Sequence, residues 1–190
     1  MQRVMPGDQP RLRLFVAVYP PGDRVTMWCR TLAALSVPDY RLVPAEQVHL
    51  TLQFIGPTPV KELERVRESV ARAAKGLSAF RLTPEAMIRL PERGRARLLA
   101  VRTDAPATLL ELQRRLAQRL ARSPRKDPGD RFLPHLTLCR FRPPTSLPDG
   151  TVPELVENES FEVDTIHLMK STLHPDGAKH EVVDTVTLGT

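Results

Sequence analysis

Apolar residues in this chain recur with a period of two in some stretches and about 3.6 in others, and each switch marks a change from strand to helix. Residues 11–19 (RLRLFVAVY) alternate and then become continuously apolar, as a central strand buried on both faces does. Pro20-Pro21-Gly22 turns the chain, Asp23 is a fair N-cap, and Val25, Trp28, Cys29, Leu32 and Leu35 recur at helical spacing. A connecting segment at 37–44 holds a short extended piece at 40–43, and 46–55 reads as the next strand. Thr58 before Pro59 looks like a helix opening, with Leu63, Val66, Val70 and Ala74 as the buried stripe and Gly76 as the stop.

Residues 80–90 and 95–103 predict two strands joined by the hairpin tip Pro91-Glu92-Arg93-Gly94, an exposed turn with arginines at or beside it. Asp104, Ala105 and Pro106 open a third helix with Leu109, Leu112, Leu116 and Leu120 inside and Arg114, Arg115, Gln118, Arg119 and Arg122 outside. A basic loop at 123–130, a strand at 132–141 and a Pro-rich surface loop at 143–158 follow. Residues 161–171 and 181–188 give two last strands, with a strongly marked turn at Leu173-His174-Pro175-Asp176-Gly177.

Within this pattern the tetrad His-Leu-Thr-Leu occurs twice, at His49 and at His135. In a strand, His49, Thr51 and Gln53 share one face while Leu50, Leu52 and Phe54 share the other, so the apolar set anchors the core and the polar set faces a cleft. His135, Thr137 and Cys139 are arranged in the same way against Leu136 and Leu138. The order strand, helix, tetrad spans 36 residues from Arg13 to His49 and 38 from Arg97 to His135, a duplicated module. A pseudo-twofold arrangement then brings the two tetrads together across the cleft.

One neutral imidazole can take a proton from an attacking water while a protonated one donates to a departing oxygen, and both titrate near neutral pH. Hydroxyls at Thr51 and Thr137 can donate to non-bridging phosphate oxygens as charge builds on them. The pair therefore fits phosphoester chemistry with no metal and no cofactor. A metal site is the competing reading: two His and a carboxylate can hold a divalent ion, and His167, His174 and His180 add candidates. No HxH, HExxH or Asp-rich cluster is present, and Thr two positions from each His is a poor ligand set.

Composition adds bounds to this picture. With 41% apolar residues in 190, the chain can build an ordinary core, and one domain over 1–190 with a polar tail at 1–10 is expected. The tail lacks the apolar stretch of a signal peptide and no run has the length of a membrane span, so a cytoplasmic protein without membrane contact is expected; the sequence marks no oligomeric interface, and a monomer is expected. Cys29 and Cys139 are expected as free thiols. A net charge of +6, carried mostly by arginine, suits an anionic partner.

The paired motifs, together with RLFVAV near the start, HLTLQFIG at 49–56, FLPHLTLCR at 132–140 and LMKSTLHPDGAKHEVV at 168–183, give a resemblance over nearly all of 11–188. The chain resembles the two-histidine (2H) phosphoesterase superfamily and, more narrowly, the RNA 2′,3′-cyclic phosphodiesterases, also called 2′-5′ RNA ligase-like proteins. That resemblance implies a bilobal α+β fold, two antiparallel sheets facing a central cleft with helices outside. It implies hydrolysis, without metal, of the 2′,3′-cyclic phosphate on RNA ends or of a small cyclic nucleotide, leaving a 2′-phosphate. By the family's assignment His49 is the acid and His135 the base, with Thr51 and Thr137 holding phosphate. Arg140 matches a basic position common in the family, but alternation puts it opposite His135, so it needs a strand end or a bulge to reach the cleft. Met169 and His180 stand where the family often has aromatic residues, and Lys170 where it often has Arg. Two other readings stay open: action on another cyclic or 2′-5′-linked phosphate, including 2′-5′ RNA ligation, and a non-catalytic module that binds RNA ends.

Overall fold

The computed structural model describes residues 10–35, 37, 40–121, 132–148, 150–152, 155, 159–175 and 177–189. The tail before Pro10 and the basic loop at 123–130 lie outside these, as do Arg122, Asp176 and parts of the 143–158 loop.

Strand β1 (Arg11–Val18) is followed by helix α1 (Gly22–Ala33), the short strand β2 (Tyr40–Leu42), a 3-10 turn at Ala45–Gln47 and strand β3 (Leu50–Pro59). A second 3-10 turn at Val60–Glu62 leads into α2 (Leu63–Ala74), then β4 (Phe80–Leu82), β5 (Pro84–Leu90), β6 (Ala96–Thr103) and α3 (Ala107–Leu120). β7 (His135–Thr145), β8 (Phe161–Val163), β9 (Thr165–His174) and β10 (Gly177–Thr187) complete the chain.

The fold is α+β, as expected. Four strands in the order β10-β9-β1-β3 form one half of a large antiparallel sheet, and β7, β6 and β5 form the other, with β2 paired along the edge of β7 that faces β3. The halves are continuous through one register pair, Leu50 with Leu136. These are equivalent residues of the two tetrads, so the pseudo-twofold relation passes through this pair. β4 and β8 make a separate two-stranded sheet.

β1 explains why its sequence is apolar without a break. Leu14, Val16 and Val18 join the main core with Val25, Trp28 and Leu32 of α1, whereas Phe15 and Ala17 form a second cluster with Met169 on the opposite face. The helices bury most of the stripes expected of them, Val25, Trp28 and Leu32 of α1, Val66, Val70 and Ala74 of α2, and Leu109, Leu112, Leu116 and Leu120 of α3, while Cys29, Leu35 and Leu63 are only partly buried and Leu35 lies past the end of α1.

Several expectations need correction. Residues 56–59 do not open a helix; they prolong β3, with Gly56, Pro57, Thr58 and Pro59 opposite Leu14, Arg13, Leu12 and Arg11. Past Leu50, β3 has no second ladder among the described residues, so the prolines leave no hydrogen bond unmade. The helix starts after the 3-10 turn instead. α1 starts at Gly22 after Pro21, and Asp23 lies in its first turn rather than at the cap. The strands expected at 80–90 and 161–171 are each split, because β4 and β8 leave the large sheet to pair with one another.

Two bulges change which side chains face the cleft. Thr51 lies opposite Ala17 and Gln53 opposite Val16, so Leu52 is an extra residue. On β7, Thr137 lies opposite Ala100 and Cys139 opposite Leu99, so Leu138 is extra in the same position of the second tetrad. Each bulge reverses the alternation beyond it. Cys139 therefore turns into the core, fully buried, and Gln53 turns away from the cleft with it, against expectation. Phe54, expected in the core, is 70% exposed, and a further shift after it buries Ile55.

Candidate active site

Both tetrads enter their strands through the same local device. The Nδ1 of His49 lies 2.7 Å from the carbonyl oxygen of Gln47, and that of His135 lies 2.8 Å from the carbonyl oxygen of Leu133. A carbonyl only accepts, so each Nδ1–H donates and each Nε2 is left as the free nitrogen. Holding the ring two residues back in this way fixes its tautomer as well as its direction.

The threonines are equivalent too. Thr51 and Thr137 are half-buried, each directly opposite an alanine, Ala17 and Ala100, with no exposed surface of its own. Residues directly opposite in an antiparallel pair share a face, and a methyl group there leaves room beside each hydroxyl. Neither hydroxyl has a hydrogen bond within the described residues, so both are free to donate to a ligand.

His49 sits over Ala17 between two rings of β1 and its extension, with its centroid 5.0 Å from that of Phe15 and 5.6 Å from that of Tyr19. His180 of β10 packs edge-on against it at 5.1 Å. Burial pushes the His49 imidazole down to about 4, the positive charges of His180, Arg140 and His135 push the same way, and the Gln47 carbonyl opposes them. At neutral pH His49 is therefore uncharged. The influence of His135 on it places the two imidazoles within one electrostatic neighbourhood.

Arg140 reaches this neighbourhood, acting on both His49 and His180, because the bulge at Leu138 carries it to the cleft face. Burial of the guanidinium and the adjacent Arg142 lower its proton affinity. Phe54 is its counterpart after the first tetrad, equally turned to the cleft and 6.3 Å from Phe15. Sequence alternation missed Phe54; the matching spacing of HLTLQF and HLTLCR was the available signal. Across from His135, Arg102 is neutralised by Glu85 at 3.0 Å.

His167 lies further along the same face, its Nδ1 3.0 Å from the Thr185 hydroxyl, while His174 ends β9 and is exposed. Among the described residues no group of three or more His, Cys, Asp or Glu is disposed to hold a metal ion. Cys29 and Cys139 are free thiols, and burial pushes that of Cys139 up to about 11. Among the described residues no helix is long and apolar enough to cross a membrane.

Comparison with known proteins agrees with this architecture. The chain is 26% identical over 185 residues to the RNA 2′,3′-cyclic phosphodiesterase of Thermus thermophilus, covering 93% of this chain and 90% of that protein. It is 30% identical over 158 residues to the protein of the same name from Aquifex aeolicus, covering 77% and 81%. A crystal structure of a Thermus thermophilus protein superposes with a TM-score of 0.77 at 26% identity, covering 93% of this chain and 98% of that one. E. coli LigT solved with 3′-AMP has the same fold, with a TM-score of 0.78 at 23% identity over 95% and 99% of the two chains. A family profile described as the 2′-5′ RNA ligase superfamily matches residues 22–175, and this chain belongs to that superfamily.

Proposed function

We propose that the protein is a phosphoesterase that opens 2′,3′-cyclic phosphates at RNA ends or on small cyclic nucleotides, leaving a 2′-phosphate, within one cytoplasmic domain acting as a monomer. The observation that carries the reading is the duplicated geometry: two imidazoles, each locked by a carbonyl two residues back, each followed by an unpartnered hydroxyl on the same face. The name shared by the Thermus and Aquifex relatives supports the choice of substrate.

In this mechanism Nε2 of His135 takes a proton from water as its oxygen bonds to phosphorus, and the P–O3′ bond breaks as Nε2 of His49 gives a proton to O3′. Thr51, Thr137 and Arg140 hold the non-bridging oxygens, where negative charge grows. His49 must be charged to act as the acid, yet its lowered proton affinity leaves it neutral at neutral pH. The negative charge of the bound substrate favours the protonated ring, so His49 takes up its proton from solvent as the substrate binds. No metal is needed for any of these steps.

The superfamily's description favours one further reading of the same site, 2′-5′ ligation. A 5′-hydroxyl then replaces water as the attacking group, loses its proton to the same base, and O3′ leaves with the same acid.

The test is turnover of a 2′,3′-cyclic nucleotide by wild type, His49→Ala and His135→Ala, with circular dichroism to establish folding. Each variant is expected to lose about a hundredfold or more, and chelator to change nothing. Full activity in either folded variant contradicts the proposal.

A further inference from the structure

Past Lys170, where its pairing with β1 ends, β9 has β10 alone as ladder partner among the described residues, so this part of the two strands is a two-stranded ribbon. Such a ribbon is marginal unless it packs on something. Its tip does not gain that packing from apolar burial, since Leu173 is 66% exposed and His174 and Pro175 are exposed as well. The ribbon leans across the cleft instead.

At the tip, a Cβ placed on Gly177 would overlap the guanidinium of Arg41, 2.8 Å from its Cζ and 3.2 Å from its Nη1, so that cation fills the space a side chain would take. Arg41 belongs to β2, opposite Arg140 of β7, and register partners share a face, so its side chain leaves from the cleft face. Further down the ribbon, β10 and the 3-10 turn after β2 line one open cavity of about 460 Å³, with Lys179, His180 and Val182 facing Glu46 and Gln47. His180, three residues past Gly177, packs on Phe15 at 4.9 Å and on the His49 ring at 5.1 Å between centroids. The ribbon is thus seated on one half of the sheet at its tip and on the other at His180.

We infer that Arg41 is a positioning residue for the reaction: seated on Gly177, it holds the β9–β10 ribbon over the cleft and keeps His180 against the His49 ring. The inference rests on the phosphoesterase reading for the role of His49 as the acid, whereas the fastening itself does not. Burial is the main cause of the low proton affinity of that ring, the charges of His180 of β10 and of Arg140 and His135 of β7 add to it, and the Gln47 carbonyl opposes them. Tyr19 faces the ring from beyond the end of β1, with His167 of β9 behind it. The charge of Arg41 is not among those acting on His49, so its removal reaches the ring only through the ribbon. Release of the ribbon admits water to the ring and takes away His180, and both raise its proton affinity.

The experiment follows the pH titration of the His49 ring by NMR, and the pH profile of kcat/KM for a 2′,3′-cyclic nucleotide, in wild type, Arg41→Ala, Gly177→Ala and the double variant. In Arg41→Ala the His49 midpoint is expected to rise from about 4 toward 6.5, by about one pH unit. The limb of the kcat/KM profile that His49 sets should move up with it. Gly177→Ala puts a methyl group where the guanidinium sits and should also raise the midpoint, but by less when Arg41 is already absent, because part of its effect passes through that residue. A midpoint unchanged in Arg41→Ala overturns the inference, and a rise in KM without that change makes Arg41 a substrate contact instead. Equal rises from Gly177→Ala with and without Arg41 overturn it too. If wild type does not turn over the nucleotide, the phosphoesterase reading fails, and the NMR midpoints still decide the fastening.

Discussion

His49 is the residue whose environment differs most from that of its twin, and the difference has a measurable thermodynamic consequence. Its folded proton affinity lies below its unfolded one, the first at about 4 and the second near 6.5. Between those pH values the unfolded chain binds more protons, so the neutral buried ring stabilises the fold fully above pH 6.5 and that contribution is lost as pH falls toward 4. Replacing His49 by Gln should therefore flatten the dependence of unfolding free energy on pH across that window. Denaturant titrations of both proteins at several pH values measure it, and parallel curves would show that His49 is not buried in this way. The two histidines and two threonines were legible as sequence because a repeated tetrad is a local pattern. The burial of His49 was not, because Phe15, Tyr19 and His180 come from two other strands.

At the scale of elements, the bulges at Leu52 and Leu138 decide which residues line the cleft. Strict alternation assigns Phe54 to the core, where truncation to Ala would cost about 3–5 kcal/mol. The observed exposure of 70% limits that cost to about 0.5 kcal/mol. Ile55, 5% exposed, should instead lose about 2–5 kcal/mol on conversion to Ala. Chemical denaturation of Phe54→Ala and Ile55→Ala separates the two registers, and a severe loss in the first with a mild one in the second would refute the bulge. Helix stripes and the apolar run of β1 were readable from period alone, since they report burial directly. The bulges, the extension of β3 through two prolines and the pairing of β4 with β8 were not. Each depends on which partner strand lies alongside, and no local pattern encodes that choice.

For the molecule as a whole, the halves of the sheet meet at Leu50 and Leu136, and each half delivers one imidazole and one hydroxyl to the same place. Binding of a phosphate anion there should draw a proton onto His49. In calorimetry at about pH 7, inorganic phosphate should bind with net proton uptake, read from buffers of different ionisation enthalpy, and His49→Gln should remove that uptake. Uptake unchanged by the substitution would assign the proton elsewhere. The most direct measurement of shared phosphate binding follows the ring resonances of His49 and His135 by NMR during a phosphate titration. Both rings are expected to shift together along one saturation curve with a single Kd. Response by only one ring, or by the two with separate affinities, would contradict a common phosphate site.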